Sequence, residues 1–329
     1  MTKIINIILS GGVGSRLWPL SRKHRPKQYL NIFGKKSLFQ LTATRNISLC
    51  DRLTVIGNTD NFELSSEALQ EINIQEYQQI VEASPRNTAA AIAFAAFSAD
   101  KDDILLITPS DHLIEDEEEY ARSVNEAIQL AKQDSIVTFG LVPTKPETGF
   151  GYIQVHGNNV LGFREKPNLE TAQEFIVKGN FLWNSGMFCF KAGIFLEELK
   201  KYQPEVYTKS EIAFNARIGD KLPLRESMDI PSISVDYAVM EKTDRLKVVK
   251  SNFKWSDMGS FESLYNYLKN NGHPTDENGN MVIGSNIHTE FLGIKKSILV
   301  VTEDAILVLK REKSQDVKKI CENVPANLQ

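Results

Sequence analysis

Little in this chain points to a secreted or stapled protein. Its 329 residues include only three cysteines, Cys50, Cys189 and Cys321, odd in number and far apart. They give neither a disulfide framework nor zinc-ligand spacing, and a reducing cytoplasm is the compartment such usage implies. Long apolar runs are missing as well. The opening run from Ile4 to Leu9 is interrupted by Asn6 and is too short for a membrane span, and glycines and arginines follow it in place of a signal-cleavage pattern. No large excess of one charge exists either. The formal net charge of −4 argues against general nucleic-acid binding, so any basic cluster is a local feature. No low-complexity tract or periodic repeat is visible. A chain of this length can bury a large core and suits one large domain plus a smaller one.

What is present concentrates near the start. The buried-strand pattern of Ile4 to Leu9 runs into Ser10-Gly11-Gly12-Val13-Gly14-Ser15-Arg16-Leu17-Trp18-Pro19, and then into Arg25-Pro26-Lys27-Gln28. A glycine-rich turn after a strand exposes backbone N–H groups, and Arg16 and Lys27 add fixed positive charge, a combination that cradles a polyphosphate. A tight turn followed by a solvated basic loop is the plainer alternative and stays open on this segment alone. Two common nucleotide motifs are disfavoured. Gly14 is followed by Ser15-Arg16-Leu17, where a Walker-type loop needs Gly-Lys-Ser or Gly-Lys-Thr. The dinucleotide fingerprint needs a third glycine and a later acidic residue, whereas the chain near positions 25 to 35 is basic.

Strand and helix patterns alternate up to residue 141. Leu53 to Ile56, Asp103 to Thr108 and Ser135 to Leu141 read as strands; Phe62 to Ile72, Thr88 to Ala99 and Glu117 to Gln133 read as helices. The order predicts an α/β fold, a doubly wound, mostly parallel open sheet of Rossmann-like type. Tyr152 to Val155 and Val160 to Glu165 flank Gly157-Asn158-Asn159, a hairpin signal. Helices are expected over Glu170 to Val177, Ile194 to Lys201 and Glu211 to Ile218. A strand is expected over Leu246 to Lys250, then a helix over Ser260 to Lys269 capped by Ser260. The Asn-Gly-rich stretch 270–280 is the best boundary, dividing residues 1–269 from a small β-rich domain over 280–329.

Two carboxylates carry the second chemical signal. Asp111, in Pro109-Ser110-Asp111-His112, follows the carboxyl end of a buried strand, where open α/β sheets bind ligands. Asp257, in Trp255-Ser256-Asp257-Met258-Gly259, also lies where strand gives way to helix. Together they could hold one Mg²⁺, a hard cation that seldom takes more than two protein carboxylates beside phosphates and water. Singly, each is equally a cap or turn residue, and His112 suits positioning or packing.

Taken together, these stretches resemble the sugar-phosphate nucleotidyltransferases, and within them the mannose-1-phosphate guanylyltransferase group. The likeness extends through Arg86-Asn87-Thr88-Ala89, Gly149-Phe150-Gly151-Tyr152-Ile153, Glu165-Lys166-Pro167, Trp183-Asn184-Ser185-Gly186-Met187-Phe188 and Ser234-Val235-Asp236-Tyr237-Ala238. All occur in the family's order over residues 4 to 260. The resemblance implies a nucleotide-diphospho-sugar transferase fold with a left-handed β-helix-like tail. It implies transfer of GMP from GTP to α-D-mannose 1-phosphate, giving GDP-mannose and pyrophosphate. Gly11, Gly12 and Gly14 would then hug the nucleotide, Arg16 and Lys27 would act catalytically on its phosphates, and Asn87 and Thr88 would read the base. Asp111 would touch the nucleotide and share the metal with Asp257. Gly151, Glu165, Lys166 and Asn184 would form the sugar-phosphate pocket, while Asp236 is read as a helix-start residue. Also implied are a homo-oligomer, taken as a dimer, with no nucleic-acid or membrane partner, and no second isomerase activity. Another sugar 1-phosphate, or a non-catalytic nucleotide-sugar sensor, are the alternatives.

Overall fold

Runs of isoleucine, valine and leucine, unbroken by charge, build the centre of the sheet. The computed structural model describes residues 2–328. In chain order the strands are β1 (Ile4–Leu9), β2 (Arg52–Asn58), β3 (Gln78–Glu82), β4 (Ile104–Pro109), β5 (Leu113–Ile114), β6 (Ile136–Leu141) and β7 (Tyr152–His156). There follow β8 (Asn159–Arg164), β9 (Phe181–Lys191), β10 (Leu246–Ser251), β11 (Trp255–Ser256), β12 (Met281–Ile283), β13 (Ser297–Val301) and β14 (Ile306–Lys310). The helices are α1 (Leu38–Ile47), α2 (Phe62–Glu71), α3 (Asn87–Phe97), α4 (Glu117–Ala131) and α5 (Leu169–Lys178). The others are α6 (Ala192–Tyr202), α7 (Pro204–Asn215), α8 (Leu224–Met228), α9 (Phe261–Asn270) and α10 (Val317–Asn323). None of them is long and apolar enough to cross a membrane.

The described chain divides into two compact units that do not follow sequence order. The first comprises the residues up to Gly11, Thr42–Ser110 and Ile114–Lys254. The second comprises Gly12–Leu41, Asp111–Leu113 and the chain from Trp255 onward. The C-terminal strands therefore belong with the loop that follows β1.

The first unit holds a nine-stranded sheet in the order β3-β2-β1-β4-β9-β6-β10-β8-β7. Strands β1 to β4 pair in parallel, with Ile7 facing Thr54 on one side and Ile107 on the other. Their burial on both faces explains why they read as continuous apolar runs. The sheet is mixed rather than uniformly parallel, because β9 runs antiparallel between β4 and β6, pairing Leu105 with Phe190 and Val137 with Cys189. Helices cover both faces. The Ala-rich α3 packs with α6 and α7 over Ile7, Leu105, Ile107, Phe188 and Phe190, whereas α4 packs on β6, β9 and β10 and contributes nothing to that cluster. A register shift between Thr138 and Gly140 lies opposite Asn184, and such bulges re-aim side chains beside sites.

The second unit has its own core. Leu17, Trp18 and Phe33 pack with Phe261, Tyr265, Ile283, Ile298 and Val300. Strands β12 and β13 are parallel, and β14 returns antiparallel with Leu307 and Leu309 turned inward. Helix α9 starts where expected: Ser260 and Ser263 form a reciprocal capping box.

Candidate active site

In the second unit, residues distant in sequence converge on one ammonium. Lys27 is 5% exposed, and its Nζ lies 2.8 Å from Asp111 Oδ2 and donates to the Asp257 backbone carbonyl at 2.6 Å. The loop brings Lys27 there by its own bonding: Lys27 N–H donates to the Val13 carbonyl, and Gln28 Nε2 donates to the Gly12 carbonyl. Gly14 is required by this fold-back. Its φ is +73°, and a Cβ on it would meet Lys27 Cβ at a separation no real Cβ shows. Burial by itself would raise the Asp111 carboxyl, but the charge of Lys27 prevails and holds it below the usual carboxylate value.

Around this centre, Trp255 Nε1 donates to His112 Nδ1 at 3.2 Å. With Nδ1 accepting, the neutral ring carries its proton on Nε2, which faces Asp111 Oδ1 at 3.8 Å. Gly259 N–H donates to Asp257 Oδ1 at 3.2 Å. Arg16 Nη2 lies 3.1 Å from the point a Cβ on Gly259 would occupy, and its Nη1 donates to Gln315 Oε1 at 3.0 Å. Arg16, Lys27, Asp111 and Asp257, chosen from the sequence, are thus neighbours in one unit. Gln315 had no motif to reveal it.

The first unit carries two further clusters. At the end of β3, Glu82 is 8% exposed and its Oε1 has no hydrogen-bond partner among the described residues. Burial pushes its carboxyl up to about 7, against a smaller opposing pull from the Arg86 N–H. Four residues after Glu82 comes Arg86, and Asn87 and Thr88 then open α3, with Asn87 Oδ1 accepting from the Thr88 N–H at 2.8 Å. The Thr88 hydroxyl accepts from the Val235 N–H at 2.8 Å, so it also braces the chain that leads into Asp236. Glu82 escaped sequence reasoning because a lone glutamate before Ala-Ser-Pro carries no signal until its burial is known.

The second cluster gathers Gly151, Glu165, Lys166 and Asn184. Asn184 N–H donates to the Gly151 carbonyl at 2.8 Å. A Cβ on Gly151 would come 2.5 Å from Glu165 Oε2 and 3.3 Å from Asn184 Cβ. Glu165 pairs with Lys166 at 3.0 Å; the glutamate side chain is 9% exposed and the lysine 62%. Positive φ values at Asn87 (69°), Lys166 (45°) and Met258 (44°) mark three of these segments. Non-glycine residues in that region cost of order 1–3 kcal/mol each and collect at functional sites.

Residues 5–271 match the nucleotidyl transferase family, and the chain belongs to it. Within that class it is similar to named mannose-1-phosphate guanylyltransferases. It is 39% identical to RfbM of Salmonella typhimurium over 98% of this chain and 72% of that protein. It is 38% identical to the Escherichia coli K12 protein of that name over 99% of this chain and 74% of the relative. Among solved structures, a Thermus thermophilus protein named mannose-1-phosphate geranyltransferase superposes with a TM-score of 0.84 at 28% identity, covering 98% of this chain and 99% of the other. A Helicobacter pylori protein named mannose-6-phosphate isomerase shares 40% identity over 77% of this chain and 99% of its own, with a TM-score of 0.70.

Proposed function

We propose that this chain transfers GMP from GTP to α-D-mannose 1-phosphate, releasing GDP-mannose and pyrophosphate. The observation that carries the reading is the single ammonium of Lys27 shared by Asp111 and Asp257, in a chain close to named guanylyltransferases. An ionised oxygen of the sugar phosphate attacks the α-phosphorus in line. The bond from the α-phosphorus to its bridging oxygen breaks, and pyrophosphate leaves with the electron pair. No covalent enzyme intermediate is needed, so the protein's task is positioning and charge stabilisation.

Lys27 and Arg16 neutralise charge that grows on the leaving pyrophosphate, and the backbone of Gly11, Gly12 and Gly14 takes the phosphates. Glu82 is the apt acceptor for guanine, whose N1–H and exocyclic amine both donate, whereas adenine N1 can only accept. Asn87 and Thr88 order the adjacent helix start. Glu165 and Asn184 take sugar hydroxyls, and Lys166 takes the phosphate. The carboxylates of Asp111 and Asp257 are hard oxygen donors of the kind and number that Mg²⁺ takes beside phosphates. Mg²⁺ held there would neutralise phosphate charge, in keeping with the low Asp111 pKa that keeps this ligand ionised. The cytoplasm as compartment and a dimer as assembly complete the proposal.

The test mixes purified protein with Mg²⁺, mannose 1-phosphate and each of the four nucleoside triphosphates, and measures pyrophosphate and sugar nucleotide. GTP is expected to be preferred at least tenfold. Turnover with another base or sugar 1-phosphate in its place, or conversion of mannose 6-phosphate to a ketose without nucleotide transfer, overturns the reading.

A further inference from the structure

Asp236 opens a five-residue π-turn, Asp236–Met240, a rare geometry that concentrates at functional sites. The segment that leads into the turn is tied at several points. Val235 N–H donates to Thr88 Oγ1 at 2.8 Å, Ala89 N–H to the Ile233 carbonyl at 3.3 Å, and Arg86 Nε to the Ile230 carbonyl at 2.6 Å. The carboxylate is therefore aimed by fixed backbone and not by a flexible loop.

Its partner is Asn184, whose Nδ2 donates to Asp236 Oδ1 at 3.0 Å. The other end of that amide is occupied: Thr138 Oγ1 and the Gly186 N–H lie 2.9 Å and 3.2 Å from Asn184 Oδ1. An amide has two acceptor sites and two N–H hydrogens, so one N–H of Asn184 is left to offer. The Asp236 carboxylate takes Asn184 and its own backbone N–H, two of about four acceptor sites. Glu165 lies close enough to raise the Asp236 carboxyl, which burial first and then that charge push up to about 6. A carboxylate with acceptor sites to spare, held rigidly beside another and beside one amide N–H, suits a ligand rich in hydroxyl donors.

We propose that Asp236 is a specificity-determining residue of the sugar-phosphate pocket, accepting a hydrogen bond from one hydroxyl of the hexose beside Glu165 and the remaining N–H of Asn184. The inference rests on the sugar-pocket reading of Gly151, Glu165 and Asn184 and adds to it the group that discriminates between hydroxyl patterns.

Asp236→Asn separates this role from a structural one. An asparagine keeps an oxygen for Asn184 but replaces the spare acceptor with a donor. Steady-state kinetics would compare wild type and Asp236→Asn on mannose 1-phosphate and on its 2-, 3-, 4- and 6-deoxy analogues. The variant is expected to lose about 10- to 100-fold in kcat/KM for mannose 1-phosphate, the scale of a charged hydrogen bond. KM for GTP stays within twofold, and the loss vanishes for the one analogue that lacks the hydroxyl in question. A loss equal across all four analogues, a loss that falls on GTP, or no loss at all overturns the inference. Should the variant not fold, the wild-type series decides alone, and no single deoxygenation costing tenfold would count against Asp236. Glu165→Gln serves as the control. If it leaves kcat/KM for the sugar phosphate unchanged, the pocket reading itself fails; if it lowers kcat/KM while Asp236→Asn does not, only the present inference fails.

Discussion

Lys27→Met deletes one charge and keeps most of the side chain that packs on Gly14. The ammonium lies 2.8 Å from Asp111 Oδ2, in a side chain that is 7% exposed against 30% for the aspartate. At that separation and an effective dielectric of about 20, Coulomb attraction amounts to roughly 6 kcal/mol before desolvation is subtracted. Removing one partner of a fully buried pair costs about 3–5 kcal/mol. Water reaching Asp111 reduces this, and about 2 kcal/mol is expected, a fall in Tm of roughly 3 °C for a chain of 329 residues. The effect on turnover is larger, because one cation at a phosphoryl-transfer transition state is worth about 10³–10⁵ in rate. The sign of the pH dependence follows from Asp111. Its folded pKa is depressed below the ordinary 3.8, so the stability it contributes is present above that value and lost as pH falls through the folded one. Without Lys27, burial dominates and raises the folded pKa, so the variant is most destabilised near neutrality and approaches wild type as pH falls toward 4. Calorimetry at pH 7.5, 5.5 and 4.5 and pyrophosphate-release kinetics measure both. A kcat/KM within tenfold of wild type refutes the assigned role, and a Tm gap independent of pH refutes the pairing.

Two other substitutions probe the first unit. Glu82, pushed up to about 7 from an ordinary 4.5, costs the fold up to about 3 kcal/mol once ionised, at ~1.36 kcal/mol per pH unit. An acid with a raised folded pKa destabilises fully above that pKa and not at all below its unfolded one. Glu82→Gln should therefore raise Tm at pH 8.5, leave it unchanged at pH 4.5, and weaken GTP at least tenfold; equal Tm gains at both pH values would contradict the burial argument. Gly151→Ala places a Cβ 2.5 Å from Glu165 Oε2, displacing the glutamate. Misplacement of about 1 Å can cost on the order of 10²-fold, so kcat/KM for the sugar phosphate should drop about 10- to 100-fold with KM for GTP unaffected, and an unaltered value would show that Glu165 is not needed there.

Much of this was legible in the chain because local patterns decide local structure. Ile4 to Leu9 and Ile104 to Thr108 are apolar on both faces, so each could only be a strand buried on both sides. The Gly157-Asn158-Asn159 hairpin and the Ser260 cap formed as their residue types dictate. Element ends were less legible. The helix expected over Glu211 to Ile218 is α7, Pro204–Asn215, whose proline at the first position marks a start that the apolar spacing placed too late. Strand β3, Gln78–Glu82, begins with two glutamines and gave no periodic signal, which also hid Glu82. Strand β9 was known only as a motif around Asn184, since nothing local says that an eleven-residue run will enter antiparallel between parallel neighbours.

The sequence by itself settled the family and the α/β class, and it nominated the residue types proposed for phosphate, metal and sugar, because glycine turns, buried strands and charge types are properties of short segments. Tertiary structure alone decided that Lys27 is shared by Asp111 and the backbone of Asp257, that the C-terminal strands join residues 12–41 in one unit, and that Asp236 orients Asn184. Each of these joins residues dozens to hundreds of positions apart. Which groups meet across such distances depends on strand order and packing, and burial then sets what charge they carry.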